Sequence, residues 1–503
     1  MAAEVDPQRS EWDVIVLGGG AAGENAAQYA AQFSGLSAVL VEAELVGGEC
    51  SYWACMPSKG LLRPVEVLDT ARHVPGVASL VGGSGLDVGA VLARRDAIVD
   101  NLDDGRQIQW ALSNGIDVIR GYGRLAGVRT VEVTAPGGSV RTLSARHAVV
   151  VDTGSMPFIP DVPGLRAAQP WTSRDVTHVQ EIPRRVAVLG GGVVACEAAT
   201  WLRGLGVEEL TLVVRETGLM ERQELFAGEM VAAVLEDSGV RLMLGRQVVE
   251  VRREAAPEPG IGLPHGGSVT VTLDDGTELM VDEVVAAMGR VPRSEDIGLS
   301  TVGLPDGGFL EVDDQQTVKG VGGEWLYAIG DVCGKALLTH MAKYQARIAG
   351  EVIASRAGGR VIPGGFGGEL SVARGHQAVP QVTFTNPEVA SVGMTEPAAV
   401  TAGFDVETVE YDMAGLAGTY VQREGYVGRA KLVVDRASDT LLGATFVGSG
   451  VADLLHSATV AILGRVPTNA LWHAVPSYPT PSEVWLRLLE ALNRQRRGGA
   501  DGS

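Results

Sequence analysis

The chain has 503 residues, enough for about three domains at roughly 150 residues each and for a large core that needs no disulfide staples. Apolar residues make up 46% and charged residues 20%, the composition of a folded globular protein and not of a disordered one. Acids outnumber bases by 61 to 41, for a net charge of −20; that field repels phosphate backbones and anionic lipid, so no nucleic acid and no membrane is expected as a partner.

Glycine is frequent, at 67 residues, and only four cysteines occur: Cys50, Cys55, Cys196 and Cys333. Four thiols are too few for a secreted disulfide framework. Met1 to Trp12 is polar and acidic, without the basic start and apolar stretch of a signal peptide. No run reaches 18 apolar residues. These features together predict a cytoplasmic protein.

Along the chain, Asp13–Gly20 (DVIVLGGG) reads as a buried parallel strand ending in a glycine turn. Ala21–Gln32 reads as a helix and Ala38–Glu42 as the next strand, the β-turn-α-β order of a doubly wound fold. Gly18, Gly20 and Gly23 have the GxGxxG spacing that brings a pyrophosphate onto the free N–H groups of a helix start. Glu42, at the end of the second strand, is placed to accept ribose hydroxyl hydrogen bonds. The first turn therefore predicts a bound dinucleotide.

Next comes Gly47-Gly48-Glu49-Cys50-Ser51-Tyr52-Trp53-Ala54-Cys55-Met56-Pro57-Ser58-Lys59. Residues five apart in a regular helix are roughly 8–9 Å apart, beyond the ~7 Å reach of a disulfide. A bridge here requires an irregular first turn. So small a loop gains only about 2 kcal/mol from stapling, so a redox role is the better reading than a structural one. Tyr52 and Trp53 either line a substrate channel or pack beneath a cofactor.

Pro-rich text at Met156–Leu165 suits a domain crossing. Then the first pattern returns: Arg185–Gly192 (RVAVLGGG) as strand and turn, Val193–Arg203 as helix, Leu210–Arg215 as strand. The second turn is Gly190-x-Gly192-x-x-Ala195. Its following strand ends in Arg215 and not in a carboxylate, which favours NADPH with its 2′-phosphate over NADH; the alternative is a solvated Arg215, with Glu216 serving the ribose. Arg253–Gly267 reads as an exposed loop. After Val361 the text changes to antiparallel strands (Val379–Phe384, Val406–Tyr411, Arg429–Val434, Thr440–Val447) and helices (Ala452–Leu463, Ser482–Leu492), with a polar, mobile tail from Asn493.

The GGxCxxxxCxPSK text after a GxGxxG strand resembles the pyridine nucleotide–disulfide oxidoreductases, the family of dihydrolipoyl dehydrogenase, glutathione reductase and mercuric reductase. Thr153-Gly154, Gly289-Arg290, Tyr327-Ala328-Ile329-Gly330-Asp331 and Val379-Pro380…Phe384-Thr385-Asn386-Pro387-Glu388 extend the resemblance over nearly the whole chain. It implies an α/β protein with two doubly wound dinucleotide-binding domains and a C-terminal α+β dimerisation domain. The FAD-binding domain would comprise 11–160 and 294–361, the NAD(P)-binding domain 161–293 and the dimerisation domain 362–492, with 493–503 a flexible tail. It implies FAD in the first unit, with Asp331 on the ribityl chain, and a nicotinamide in the second. Cys55 would be the charge-transfer thiol beside the flavin and Cys50 the interchange thiol facing substrate. Lys59 and Glu197 match the pair placed near flavin N5. Val193 stands where some members carry an aromatic gate. Cys196 and Cys333 are expected to be buried packing thiols, and no metal site is expected.

The family's C-terminal signature is His-Pro-Thr-x-Ser-Glu, whose His and Glu complete the partner subunit's site. Here the text is Tyr478-Pro479-Thr480-Pro481-Ser482-Glu483, so a homodimer is expected with Tyr478 at the His position and Glu483 orienting it. The resemblance also suggests a cis bond before Pro479. Tyr and His reference pKa values differ by the equivalent of roughly 5 kcal/mol. A phenol donates a proton near neutrality but is a poor base, which disfavours dithiol oxidation and suits disulfide reduction. Mercuric reductase also carries Tyr here, but this chain lacks that enzyme's C-terminal Cys pair. His473 and His340 are expected to be structural. The expected activity is electron transfer from NADPH through FAD to the Cys50–Cys55 disulfide and on to a small disulfide. The alternatives are mercuric or another thiophilic metal ion as acceptor, flavin-only quinone or dye reduction, and a non-enzymatic redox sensor.

Overall fold

Strand Glu11–Leu17 is buried from Trp12 onward, because parallel strands flank it on both sides. These are Ala38–Glu42 and the twelve-residue strand Val140–Val151. The computed structural model describes residues 6, 8–83, 85–254 and 260–498. Its chain divides into two compact units: 1–57 with 95–158 and 289–376, and 58–94 with 159–288 and 377–503.

In the first unit a seven-stranded sheet runs in the order Ile116–Arg120, Ala38–Glu42, Glu11–Leu17, Val140–Val151, Thr130–Thr134 and Tyr122–Gly127, with Leu326–Ala328 also pairing with Val140–Val151. The long strand does two jobs. Its first half closes an antiparallel meander with Thr130–Thr134, and its second half joins the parallel core. Trp12, Ile15 and Leu17 pack one face with Trp325. Val14 and Val16 pack the other against helices Ala21–Ala31 and Thr339–Ala357, whose contact is made by Ala26, Ala27, Ala30, Ala346 and Ala349. Small side chains allow that close approach: a Cβ on Gly350 would lie 2.7 Å from the Tyr29 Cβ and 2.9 Å from the Ala26 oxygen.

The second unit repeats the parallel motif in Arg241–Leu244, Glu209–Val214, Arg185–Leu189 and Glu283–Ala286. It adds a three-stranded antiparallel sheet of Val248–Arg253, Val269–Leu273 and Glu278–Val281. A five-stranded antiparallel sheet runs Pro380–Thr383, Glu388–Gly393, Thr440–Gly448, Arg429–Asp435 and Val406–Asp412. Helices Leu455–Leu463 and Val484–Gly498 share its core, through Leu455, Ala458, Leu488 and Leu492.

Residues 58–94 group with the second compact unit, where Leu61, Leu62 and Val91 join the core of Trp171, Trp201 and Val447. Two expectations change. The segment Arg253–Gly267 is not simply an exposed loop: Arg253 ends a strand with its guanidinium buried 2.7 Å from Glu283, which also accepts the His265 N–H. Residues 255–259 of that segment lie outside the described residues. The last helix continues to Gly498, into the expected tail, of which 499–503 also lie outside the described residues. No helix among the described residues is long and apolar enough to cross a membrane.

Gly350→Ala sets two effects in opposition. Helix propensity favours Ala by about 1 kcal/mol, while overpacking a tight interface costs about 1–3 kcal/mol. The clash is with a Cβ and a backbone oxygen, neither of which can rotate away, so the melting midpoint is expected to fall. A higher midpoint in a thermal scan would show that the two helices separate at no cost.

Candidate redox site

The first glycine turn is built by close approach. Gly18 has φ +102, and a Cβ there would lie 2.2 Å from the Asp152 oxygen. A Cβ on Gly23 would lie 2.2 Å from the Gly18 oxygen. Gly20 is the N-cap of helix Ala21–Ala31 and offers no side-chain cap. Glu42 is held at the turn, accepting the Gly19 N–H at 2.7 Å and the Glu44 N–H at 2.6 Å. Thr153 donates to the Arg293 oxygen at 2.7 Å, and beside Gly154 there is open space. The Gly330 N–H donates to Gln345 at 2.8 Å. Asp331 accepts from the Ser155 hydroxyl at 2.5 Å, and that hydroxyl accepts from Arg290 Nε at 2.6 Å. A helix start whose own N-cap residue has no side chain, a carboxylate at the ribose position and an open glycine edge fit FAD. Glu42 could hold its ribose, the turn its pyrophosphate and Asp331 its ribityl chain.

The acids of this region carry raised pKa values, burial being the first cause each time. Asp331 is raised, with Ser155 opposing; Glu24 is pushed up to about 7, with Lys343 opposing. Glu24 Oε1 and the Tyr52 hydroxyl are buried without a hydrogen-bond partner.

Cys50 lies in the short helix Gly48–Tyr52, and Cys55 opens helix Cys55–Arg72. The helix breaks at Trp53 (φ −122, ψ −4), which is the irregular turn that a five-residue spacing requires. Both cysteines are half-buried and in the reduced, dithiol form. The Cys50 thiol is pushed far up, first by its hydrogen bond with Cys55 and then by burial, while Thr339 and Lys343 pull it down. Cys55 Sγ lies 3.4 Å from Thr339 Oγ1. Tyr52 and Trp53 are buried with Val99, so they pack and line no channel. Beside Cys50, Glu49 faces Arg290 and Arg293, each at 3.7 Å.

In the second unit Lys59 Nζ meets Glu197 at 2.9 and 3.2 Å and sits 4.7 Å over the Phe384 ring. Glu197 also accepts the Phe384 N–H at 2.9 Å. The second glycine turn repeats the first: a Cβ on Gly190 would lie 2.4 Å from the Ala287 oxygen, and Gly192 borders open space. Ala195 is fully buried, Val193 is half-buried at the helix start, and Gly289 has φ +119 beside open space. These features fit a pyridine nucleotide. Arg215 follows strand Glu209–Val214, is largely exposed, and pairs with Glu216 at 2.7 Å, which lowers the Glu216 pKa.

Tyr478 is 75% exposed, and the bond to Pro479 is cis, as is Asn386–Pro387. Glu483 is buried and pairs with Arg487 at 2.5 Å, not with Tyr478; its Oε2 has no hydrogen-bond partner. His473 and His340 are exposed. Cys196 and Cys333 are buried, each pushed up to about 12 by burial. Among the described residues no group of three His, Cys, Asp or Glu could hold a metal. Sequence reasoning missed Asp152, Thr339, Gln345 and Ser155, which lack a spacing signal; only the Asp152 departure within the crossing text was visible.

Two nucleotide turns and a paired-thiol helix define a dinucleotide-dependent thiol redox enzyme. The model of the family described as pyridine nucleotide-disulphide oxidoreductase matches residues 12–346, and that of its dimerisation domain 379–488. The chain belongs to that family. It is 32% identical to the dihydrolipoyl dehydrogenase of Chlorobaculum tepidum over 96% of this chain and 97% of the relative. It is 28% identical to the mercuric reductase of Staphylococcus aureus over 94% and 81%. The LpdA structure from Mycobacterium tuberculosis shares the fold, with TM-score 0.79 and 24% identity over 96% and 99%. The protein is an FAD-dependent pyridine nucleotide–disulfide oxidoreductase with a dimerisation domain.

After reduction, alkylation of the native protein is expected to label Cys50 and Cys55 first. Cys196 and Cys333 should react only on denaturation, because each is buried out of reach of the reagent, whereas Cys50 and Cys55 are half-buried. Peptide mass spectrometry reads the sites; equal labelling of all four would contradict this.

Proposed function

We propose that the enzyme passes electrons from NADPH through FAD to the Cys50–Cys55 disulfide and on to a small-molecule disulfide, as a cytoplasmic homodimer. The observation that carries this reading is the hydrogen-bonded Cys50–Cys55 pair at a helix break, together with a phenol where relatives carry an imidazole. FAD, when bound, supplies the two-electron relay between nicotinamide and thiols.

In the reducing direction Cys50 gives up its proton to Cys55 as its sulfur attacks one acceptor sulfur and expels the first thiolate. Cys55 then attacks Cys50 Sγ, re-forming the Cys50–Cys55 bond and releasing the second. Two protons go to the two leaving sulfurs. The pair retains one proton to high pH through its own hydrogen bond. The exposed Tyr478 phenol gives the other across the dimer. Lys59 brings positive charge to the second unit's site, and Glu197 fixes its position. Arg215 offers a cation to a 2′-phosphate. Mercuric ion as substrate is the second reading, supported by Tyr478 and by the mercuric reductase likeness.

Steady-state NADPH oxidation with small disulfides, Hg(II) and a quinone tests these readings. Disulfide turnover is expected, with Cys50→Ser reducing it at least about a hundredfold, the order expected for loss of a nucleophile. Turnover with quinone alone, unchanged in Cys50→Ser, would make this a flavin-only reductase. Hg(II) turnover lost in Cys50→Ser would favour the metal reading.

For the nucleotide, Arg215→Ala is expected to lower kcat/KM for NADPH about tenfold, the effect of about one charge-assisted contact, while sparing NADH. Wild-type preference for NADH would assign the ribose to Glu216.

A further inference from the structure

The side chain of Asp152, the residue after strand Val140–Val151, turns into the first glycine turn. Its Oδ2 accepts the N–H of Gly23 at 2.6 Å. Gly23 is the third residue of helix Ala21–Ala31, and its N–H is the donor an N-cap side chain ordinarily satisfies. The N-cap itself is Gly20, which cannot do so. Cβ atoms on Gly20, Gly23 and Gly330 would lie 3.1, 3.0 and 3.0 Å from the Asp152 carboxyl oxygens.

The second turn serves as an internal control. Gly190 N–H to Val213 (2.9 Å) and Ala287 N–H to Leu189 (2.9 Å) reproduce Gly18 N–H to Val41 (2.9 Å) and Asp152 N–H to Leu17 (2.8 Å). The position of Asp152 is thus occupied by Ala287, which has no carboxyl, and helix Val193–Gly204 starts at Gly192 without a side-chain cap. Capping from the neighbouring strand belongs to the first turn alone of these two.

The charged groups facing Asp152 are Asp331, Glu42 and Glu24, with the Cys333 thiol also in range and Lys343 beside Glu24. Burial first, against the opposing Gly23 N–H, and then these like charges hold its pKa well above the ordinary carboxylate value. A pyrophosphate in this turn adds more negative charge.

We propose that Asp152 is a positioning residue for the flavin cofactor: its carboxyl caps helix Ala21–Ala31 from the adjacent strand, leaving the turn open to an anionic pyrophosphate. This rests on the reading that the first turn holds FAD. The sign of the linkage follows. Affinity is full while the acid is protonated and falls as pH rises through its titration in the apoprotein.

The experiment rebinds FAD to apoprotein across neutral to alkaline pH, followed by flavin fluorescence, with infrared spectra of the holoenzyme. Asp152→Asn keeps an acceptor for Gly23 and no charge. It is expected to bind FAD within about threefold of wild type at neutral pH and to retain it to higher pH. Asp152→Ala, which loses the acceptor, is expected to bind about tenfold more weakly. The wild-type spectrum should hold a protonated-carboxyl band that is missing in Asp152→Asn. An Asn variant as weak as the Ala variant would overturn the proposal by showing that the anion is required. So would a pH slope and infrared band that survive Asp152→Asn and vanish in Glu24→Gln. Wild-type apoprotein that takes up no FAD at any pH would overturn the cofactor assignment along with it, an outcome distinct from the others, in which FAD binds.

Discussion

The absent side chain at Gly18 is the constraint on which the first unit depends. The Asp152 oxygen lies 2.2 Å from where a Cβ would be, so the strand can end against its neighbour and reverse at once into a helix. From that contact a chain of others follows. The Gly19 oxygen accepts the Gly47 N–H at 2.7 Å, and a Cβ on Gly48 would lie 2.9 Å from the Gly20 Cα. Gly47 is in turn the N-cap of the helix that carries Cys50. The redox thiol is therefore positioned by main-chain contacts to the nucleotide turn, with no side chain between them that could relax. Any side chain in this series displaces both the turn and the thiol helix.

Charge is distributed unevenly around that rigid frame. The chain as a whole is acidic, at −20, and the first turn does not escape it: Asp331, Glu24 and Asp152 all gather there, each with a raised pKa whose first cause is burial. Burial shifts these acids toward their protonated forms, which weakens their repulsion of a diphosphate. Two cations of the region, Arg290 and Arg293, are shared with Glu49 next to Cys50. The second turn uses the opposite device, an exposed arginine at its strand end. Two copies of one motif have reached different electrostatics through a few residues outside the glycines.

Both strand–turn–helix units were legible in sequence because hydrophobic runs and glycine spacing are local signals. The helix break between the thiols was also legible, since a five-residue spacing does not close in a regular helix. Lys59 and Glu197, 138 positions apart, could be paired only through family resemblance, as no local pattern joins them. The roles of Asp152 and Thr339 were not legible: each acts through a single tertiary hydrogen bond. The packing of residues 58–94 was not legible either, because the apolar positions Leu61, Leu62 and Val91 announce burial without naming the core they join. The glycine-rich end of the last helix lacks helical periodicity, yet Arg496 there pairs with Glu407 at 2.9 Å and Asp439 at 2.9 Å, and those pairs hold the last turn.

The four cysteines show how the same side chain is sorted into different roles. Cys196 and Cys333 sit in hydrophobic clusters, where burial is the first cause disfavouring the thiolate and leaves small packing groups. Cys50 is half-buried, and the leading influence on it is the hydrogen bond with Cys55, with a hydroxyl and an ammonium opposing that shift. The pair can therefore hold one negative charge and one proton together, which neither packing thiol can do. Cys55 disfavours the Cys50 thiolate through that hydrogen bond, so removing Cys55 is expected to change the chemistry of Cys50. The pair, with Thr339 beside it, is set apart from the packing thiols by these polar contacts and by its lesser burial.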